Sequence, residues 1–180
     1  KQSVRPFKKI IGHRSENFFY RHPFDTFSSP ERIARGQKIP ILQASQIKTQ
    51  AFADAVTALA PDVILVAGFH RLIPDRIIKI PTNVIINFHP SLLPFHRGGT
   101  PNRWVIRNGE TETGVTAHIV TKKFDEGDII IQKRIPVSAN DTWGEIEVRL
   151  AKLIVEVASD VLTLIRESRL QPTPQDNTQA

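Results

Sequence analysis

The sequence predicts an α/β fold, a doubly wound and mainly parallel sheet of Rossmann-like type, and three observations predict it. Short apolar runs of strand length, "DVILVA" at Asp62 to Ala67 and "VII" at Val84 to Ile86, alternate with amphipathic stretches of helical period. That alternation gives strands joined by helical crossovers. The runs are almost continuously apolar, as strands covered on both faces require. Two of them end in polar clusters, and open sheets of this class bind ligands beyond the carboxyl ends of their strands.

The elements follow in order. Ser29 is placed to cap a short helix that has Pro30 at its first position and Gly36 at its end, and "IPIL" after it reads as a buried strand. In "QIKTQAFADAVTALAPD", Ile47, Phe52, Val56 and Leu59 lie on or near one helical face, which Pro61 closes. The strand Asp62 to Ala67 comes next, then a short helix from Pro74 to Ile80 and the strand from Val84 to Asn87. "NRWVIRNGE" is a helix ending at Gly109, "GVTAHIV" alternates like a strand, and "DIIIQKRIPV" is a further strand. "TWGEIEVRLAKLIVEVASDVLTLIRES" is a long amphipathic helix whose Trp143, Ile146, Leu150, Ile154, Val157 and Val161 are core. "QPTPQDNTQA" is polar and apolar-poor, so residues 1–170 are expected to form the catalytic domain and 171–180 a frayed tail. Doubly wound folds open on an apolar strand and a Gly turn, yet nothing before Phe18 has that form, "KKII" and Gly12 coming nearest. The first strand and its loop are therefore expected to be either missing from these residues or degenerate.

Bulk properties narrow the function. A chain of 180 residues suits one domain with one active surface. Its 40% hydrophobic and 23% charged residues indicate neither disorder nor a membrane class. The basic N-terminus lacks the long apolar core of a secretory signal. The lack of cysteine excludes disulfides and thiol catalysis and fits a cytoplasmic home. A net charge of +6 would attract anionic partners such as phosphates, polyglutamate or RNA, although Lys and Arg are spread without a basic run. The chain has no methionine at all, and is expected to be trimmed or to lack residues upstream. Six histidines at these spacings fit no tight ligand set, so no metal is expected.

The chemistry concentrates at "NVIINFHPSLLPFHRGGTPNRW". Asn87 and His89 stand two positions apart at the end of a strand and so share a side. An amide donor beside an imidazole suits acyl transfer, where an oxyanion must be stabilised and a proton moved. Pro90 and Pro94 would keep the following backbone rigid. Asp125 in "KKFDEGDIIIQ" precedes a Gly turn and a strand, which puts it in a loop near the same edge, and a carboxylate there would orient an imidazole. On the residues alone, two readings stay open: a catalytic trio, or a satisfied core histidine. His96, Arg97, Gly98, Gly99 and Thr100 make a cationic, Gly-rich loop suited to an acceptor's phosphate or sugar, or to a simple connector.

The run "NFHPSLLPFHRGGTP", with "AGFHRLIP" before it and "GVTAHIVTKKFDEGDIIIQ" after it, resembles the 10-formyltetrahydrofolate-dependent formyltransferases. That family includes phosphoribosylglycinamide, methionyl-tRNA and amino-sugar formyltransferases, and the likeness covers roughly Ile39 to Leu164 with three motifs in order. It implies that Asn87 and protonated His89 stabilise the oxyanion formed when an amine attacks the formyl carbon, while Asp125 orients His89 and helps move the proton. It implies a folate pocket lined by His70, Arg71, Leu72 and Ile73 and by the segment from Thr121 through Lys122 to Asp125, with Arg71 and Lys122 near the glutamate tail. His118 matches a family position near the site, though a structural role in its strand serves equally. "RGGTPNRW" is closer to the methionyl-tRNA and amino-sugar branches than to the purine branch. The 180 residues hold neither the extra C-terminal domain with which methionyl-tRNA formyltransferases hold tRNA nor the N-terminal Gly loop of the purine enzyme. The expected reaction is formyl transfer to a primary amine, of methionyl-tRNA or amino-sugar-nucleotide type before glycinamide ribonucleotide. Hydrolysis of formyl-folate and a noncatalytic folate-binding module are the rivals, and "HPSLLP" argues against the hydrolase.

Overall fold

The computed structural model describes residues 30–179, which belong to two compact units, one ending at Pro61 and one beginning at Asp62. The Ser29 cap and the "KKII" reading lie outside the described residues. Among the described residues no helix is long and apolar enough to cross a membrane.

In the first unit, helix α1 spans Pro30–Gly36 and helix α2 spans Gln50–Ala58. The side chain of Thr49 accepts the Phe52 N–H and caps α2, and Phe52, Ala53 and Val56 are its buried face, as the spacing predicts. "IPIL" is not a strand: residues 39–42 take no ladder, and a turn of 3-10 helix follows at Ala44–Gln46. Pro40 removes a ladder donor from the middle of that run.

The second unit carries the sheet: β1 (Val63–Ala67), β2 (Val84–His89), β3 (Glu112–Ile119) and β4 (Ile129–Pro136), in that spatial order. Helix α3 (Asp75–Ile78) lies between β1 and β2, and α4 (Pro101–Arg107) between β2 and β3. The α/β class holds, but the sheet is mixed. β1 pairs parallel with β2, whereas β2 with β3 and β3 with β4 are antiparallel. The expectation of a mainly parallel sheet rested on helices alternating with apolar runs, but no helix separates β3 from β4, the connection through α4 joins antiparallel neighbours, and apolar run length reports burial and not strand direction. Indeed β3, antiparallel to both neighbours, is buried at six consecutive positions. β1 was expected to be covered on both faces, yet Leu65 is 40% exposed.

The long helix α5 (Trp143–Arg166) packs on β3 and β4. It begins with a capping box, Thr142 accepting the Glu145 N–H while Glu145 accepts the Thr142 N–H. Its stripe of Ile146, Leu150, Leu153, Val157 and Val161 forms the core with Ile86 and Phe88 of β2 and Val115 and Ala117 of β3. The core thus takes one face of β2 and β3, and alternation sends Asn87, His89, Thr116 and His118 to the other.

Candidate active site

The site is built on that second face. Antiparallel register sets Asn87 opposite His118 and His89 opposite Thr116, so four polar side chains share one patch of the sheet. The loop after β2 is fixed by hydrogen bonds as well as by its prolines. Thr116 Oγ1 donates to Ser91 O at 2.7 Å and accepts the Leu93 N–H at 3.1 Å, and Gln132 Nε2 donates to Leu93 O at 2.9 Å. Ser91 Oγ closes the loop on Phe95 O at 2.7 Å.

Asp125 enters from the loop between β3 and β4 with a φ of +53°, a left-handed backbone state uncommon in non-glycine residues though better tolerated by Asp than by most. Its two carboxylate oxygens face different partners. Oδ1 accepts from Asn87 Nδ2 at 3.3 Å and lies 3.3 Å from His118 Nε2. Oδ2 accepts the Gly98 N–H at 2.9 Å and lies 3.5 Å from His89 Nδ1, an ionic contact rather than a hydrogen bond. Asn87 Nδ2 also reaches His118 Nε2 at 3.1 Å, and His118 Nδ1 lies 3.0 Å from Ile119 O. Since the Ile119 carbonyl only accepts, His118 Nδ1 carries a proton, and Nε2 faces both the Asn87 amide and the Asp125 carboxylate, accepting from the first when bare and donating to the second when protonated.

Both ring nitrogens of His89 face acceptors, Nε2 lying 2.8 Å from His96 O and Nδ1 toward Asp125. That arrangement favours the imidazolium, while burial of a ring only 4% exposed favours the neutral form. Burial prevails: desolvation brings His89 below its ordinary 6.5, although Asp125 and the His96 carbonyl raise it. For Asp125, burial pushes the carboxyl up, but the His118 hydrogen bond, the charge of His89 and the Gly98 N–H outweigh it and hold the group below its ordinary 3.8. The carboxylate is therefore ionised near neutral pH.

An open groove of about 370 Å³, solvent included, adjoins this cluster. Asn87, His118 and Asp125 form its polar wall, and Val66, Phe69, Leu72, Ile73, Val120 and Phe124 its apolar one. Arg71, Thr121 and Lys123 complete the lining. Four of the six residues expected to bind folate, Arg71, Leu72, Ile73 and Thr121, are therefore at the groove. His70 and Lys122 are not; the Lys122 ammonium pairs with Asp75 instead. His89 does not line the groove either, and meets it through Asp125.

In the loop expected to contact an acceptor, His96, Arg97 and Gly98 bond within the chain, while Gly99 and Thr100 are exposed. His96 Nε2 lies 2.7 Å from Glu110 Oε1, and Arg97 donates to Gln175 Oε1 at 2.6 and 3.2 Å and to Asn177 Oδ1 at 2.7 Å. Gly98 donates its N–H to Asp125, and Thr100 stands at the start of α4 with φ +56° and no side-chain cap bond. Sequence reasoning left His118 undecided and missed Gln175. The first was findable by pairing Asn87 with the strand "TAHIV"; the second lies in the segment expected to fray. That segment instead bridges β4, Thr173 and Ile129 exchanging two backbone hydrogen bonds of 2.8 Å. Among the described residues no group of three or more His, Cys, Asp or Glu has metal-holding geometry.

Comparison with known proteins meets this geometry. The model of the formyl transferase family matches residues 12–162. Methionyl-tRNA formyltransferase of Pelobacter propionicus is 34% identical over 148 residues, which are 82% of this chain and 46% of that one. The chain spans about half the length of the curated relatives it matches, from 46% to 54%. Among solved structures, glycinamide ribonucleotide transformylase 1 of Symbiobacterium toebii superposes with a TM-score of 0.70 at 29% identity, covering 81% of this chain and 74% of that one. HypX of Aquifex aeolicus, solved in complex with tetrahydrofolic acid, shares the fold with a TM-score of 0.64 at 23% identity, over 81% of this chain and 25% of that one. With a family match over most of its length, this chain belongs to the formyl transferase family.

Proposed function

We propose that the chain transfers a formyl group from 10-formyltetrahydrofolate to a primary amine, with Asn87, His89 and Asp125 as its reacting set. The observation that carries this reading is the split carboxylate of Asp125, one oxygen on Asn87 and the other facing His89, at the wall of a groove with an apolar side. In this reaction the amine lone pair attacks the formyl carbon and the carbonyl electrons move to oxygen. The Asn87 amide and the His89 imidazolium stabilise that oxyanion. When the intermediate collapses, the bond to the folate nitrogen breaks, that nitrogen takes a proton, and the proton lost by the amine leaves toward Asp125 through water. Developing negative charge favours the protonated His89 ring that burial disfavours at rest.

The groove, through Arg71, Leu72, Ile73 and Thr121, is the place for the folate. For the acceptor we favour a methionyl-tRNA type, on the 34% identity to such an enzyme and the "RGGTPNRW" loop. Glycinamide ribonucleotide is the second reading, favoured by the likeness to the Symbiobacterium transformylase. The test incubates the chain with 10-formyltetrahydrofolate and, separately, initiator methionyl-tRNA, glycinamide ribonucleotide or no acceptor, following tetrahydrofolate and formate release. Acceptor-dependent tetrahydrofolate release is expected; formate release without acceptor would make the chain a hydrolase. His89→Ala, Asn87→Ala and Asp125→Ala should each lower kcat by about 100-fold or more with the circular dichroism spectrum unchanged. Near-normal turnover in His89→Ala would overturn the site assignment.

A further inference from the structure

Gln175 is a buried polar residue, 8% exposed, in a segment with few apolar residues of its own. Its side-chain amide is fully used. Nε2 donates to Asp125 O at 2.8 Å and Gly127 O at 2.7 Å, and Oε1 accepts both the Nη2 and the Nε of Arg97. Two donors and two lone pairs are all that an amide has, so the site reads a glutamine and neither a carboxylate nor a hydroxyl. The Thr173 to Ile129 bridge anchors the segment two residues earlier.

These bonds converge on Asp125 from two directions. Through Nε2 the amide holds the backbone of Asp125, which carries the positive φ, and that of Gly127. Gly127 is itself pressed against β3, since a Cβ there would lie 1.8 Å from Ile119 O. Through Oε1 it holds Arg97, whose neighbour Gly98 donates its N–H to Asp125 Oδ2. One side chain thus fixes the main chain beneath the carboxylate and the loop that grips the carboxylate's far oxygen.

We propose that Gln175 is a positioning residue that locks the Asp125 carboxylate between Asn87 and His89. Its importance for turnover rests on the formyl-transfer reading; its effect on Asp125 does not. The test therefore uses two independent readouts on the full chain: NMR titration of the His89 imidazole, and formyl transfer. Gln175→Leu removes all four bonds. Gln175→Glu keeps the volume and the partner of Arg97 but sets acceptors against two carbonyls, so it isolates the two donors. In Gln175→Leu the His89 pKa should fall by about one pH unit, because a loosened carboxylate supports the imidazolium less; in Gln175→Glu the fall should be smaller, because the added negative charge supports the imidazolium. Where formyl transfer is measured, kcat should fall about 100-fold with KM for the folate within about 3-fold. Val161→Ala, a truncation in the core on the opposite face of the sheet, should lower the melting temperature without moving the His89 titration. If Gln175→Leu melts lower yet His89 titrates as in the wild type, Gln175 is only structural and the proposal fails. If His89 moves but no variant, wild type included, transfers formyl groups, the positioning role stands and the functional reading falls.

Discussion

At the scale of single residues, His89 links the site's electrostatics to stability. Its folded pKa lies below the ordinary 6.5, desolvation being the largest cause. Between the two values the unfolded chain binds more protons than the folded one, so stability rises with pH there. The contribution is complete above about 6.5 and is lost as pH falls through the folded value. Asp125 acts in the same direction further down, because a carboxyl held below 3.8 stabilises above that value and loses its effect as pH falls through the folded pKa. Denaturant unfolding from about pH 7.5 to about pH 5 should thus show a fall in stability for the wild type that is smaller in His89→Asn, which cannot titrate there. An equal fall in both proteins would mean that His89 is not the group responsible.

At the scale of elements, the loop between β3 and β4 is the part most exposed to small changes. Its Gly127 has no room for a side chain, and the obstacle is the backbone oxygen of Ile119 rather than a flexible group. Gly127→Ala should cost about 2–3 kcal/mol in unfolding free energy and should lower formyl transfer with it, since the backbone that yields is the one carrying Asp125. Unchanged melting and turnover would show that the loop has slack that the geometry denies. The elements themselves were legible where pattern and capping agree: the stripe and Thr142 cap of α5, and the β2 run that breaks into Asn87 and His89. Strand direction was not, because an apolar run reports burial and not which way its neighbours run, and β3 is buried between two antiparallel partners. Gln175 was illegible for a related reason. In "QPTPQDN" nothing local is apolar, and what orders the segment is a set of hydrogen bonds to residues far back in the chain, Ile129, Asp125, Gly127 and Arg97.

At the scale of the whole molecule, charge decides how an anionic ligand is drawn in. Residues 1–29 hold six of the 24 basic side chains and two of the 18 acidic ones, so +4 of the net +6 falls there and only +2 on the rest. The residues around the groove therefore offer local cations rather than a broad positive field. Arg71 and Lys123 line the groove, and Lys123 is held 3.0 Å from Glu126, which mutes it. A folate analogue with a longer glutamate tail should then bind more tightly than the monoglutamate, but only about 5-fold, or about 1 kcal/mol, at low salt. Half-molar salt, with a Debye length of about 4–5 Å, should remove most of that gain. Arg71→Ala should remove it as well while leaving the monoglutamate's affinity nearly intact, if the apolar wall holds the ring as proposed. Calorimetric titration of both analogues at two salt concentrations separates the outcomes. A salt-insensitive gain would mean that the tail is gripped by packing or neutral hydrogen bonds, and a failure of both analogues to bind would remove the folate from the groove altogether.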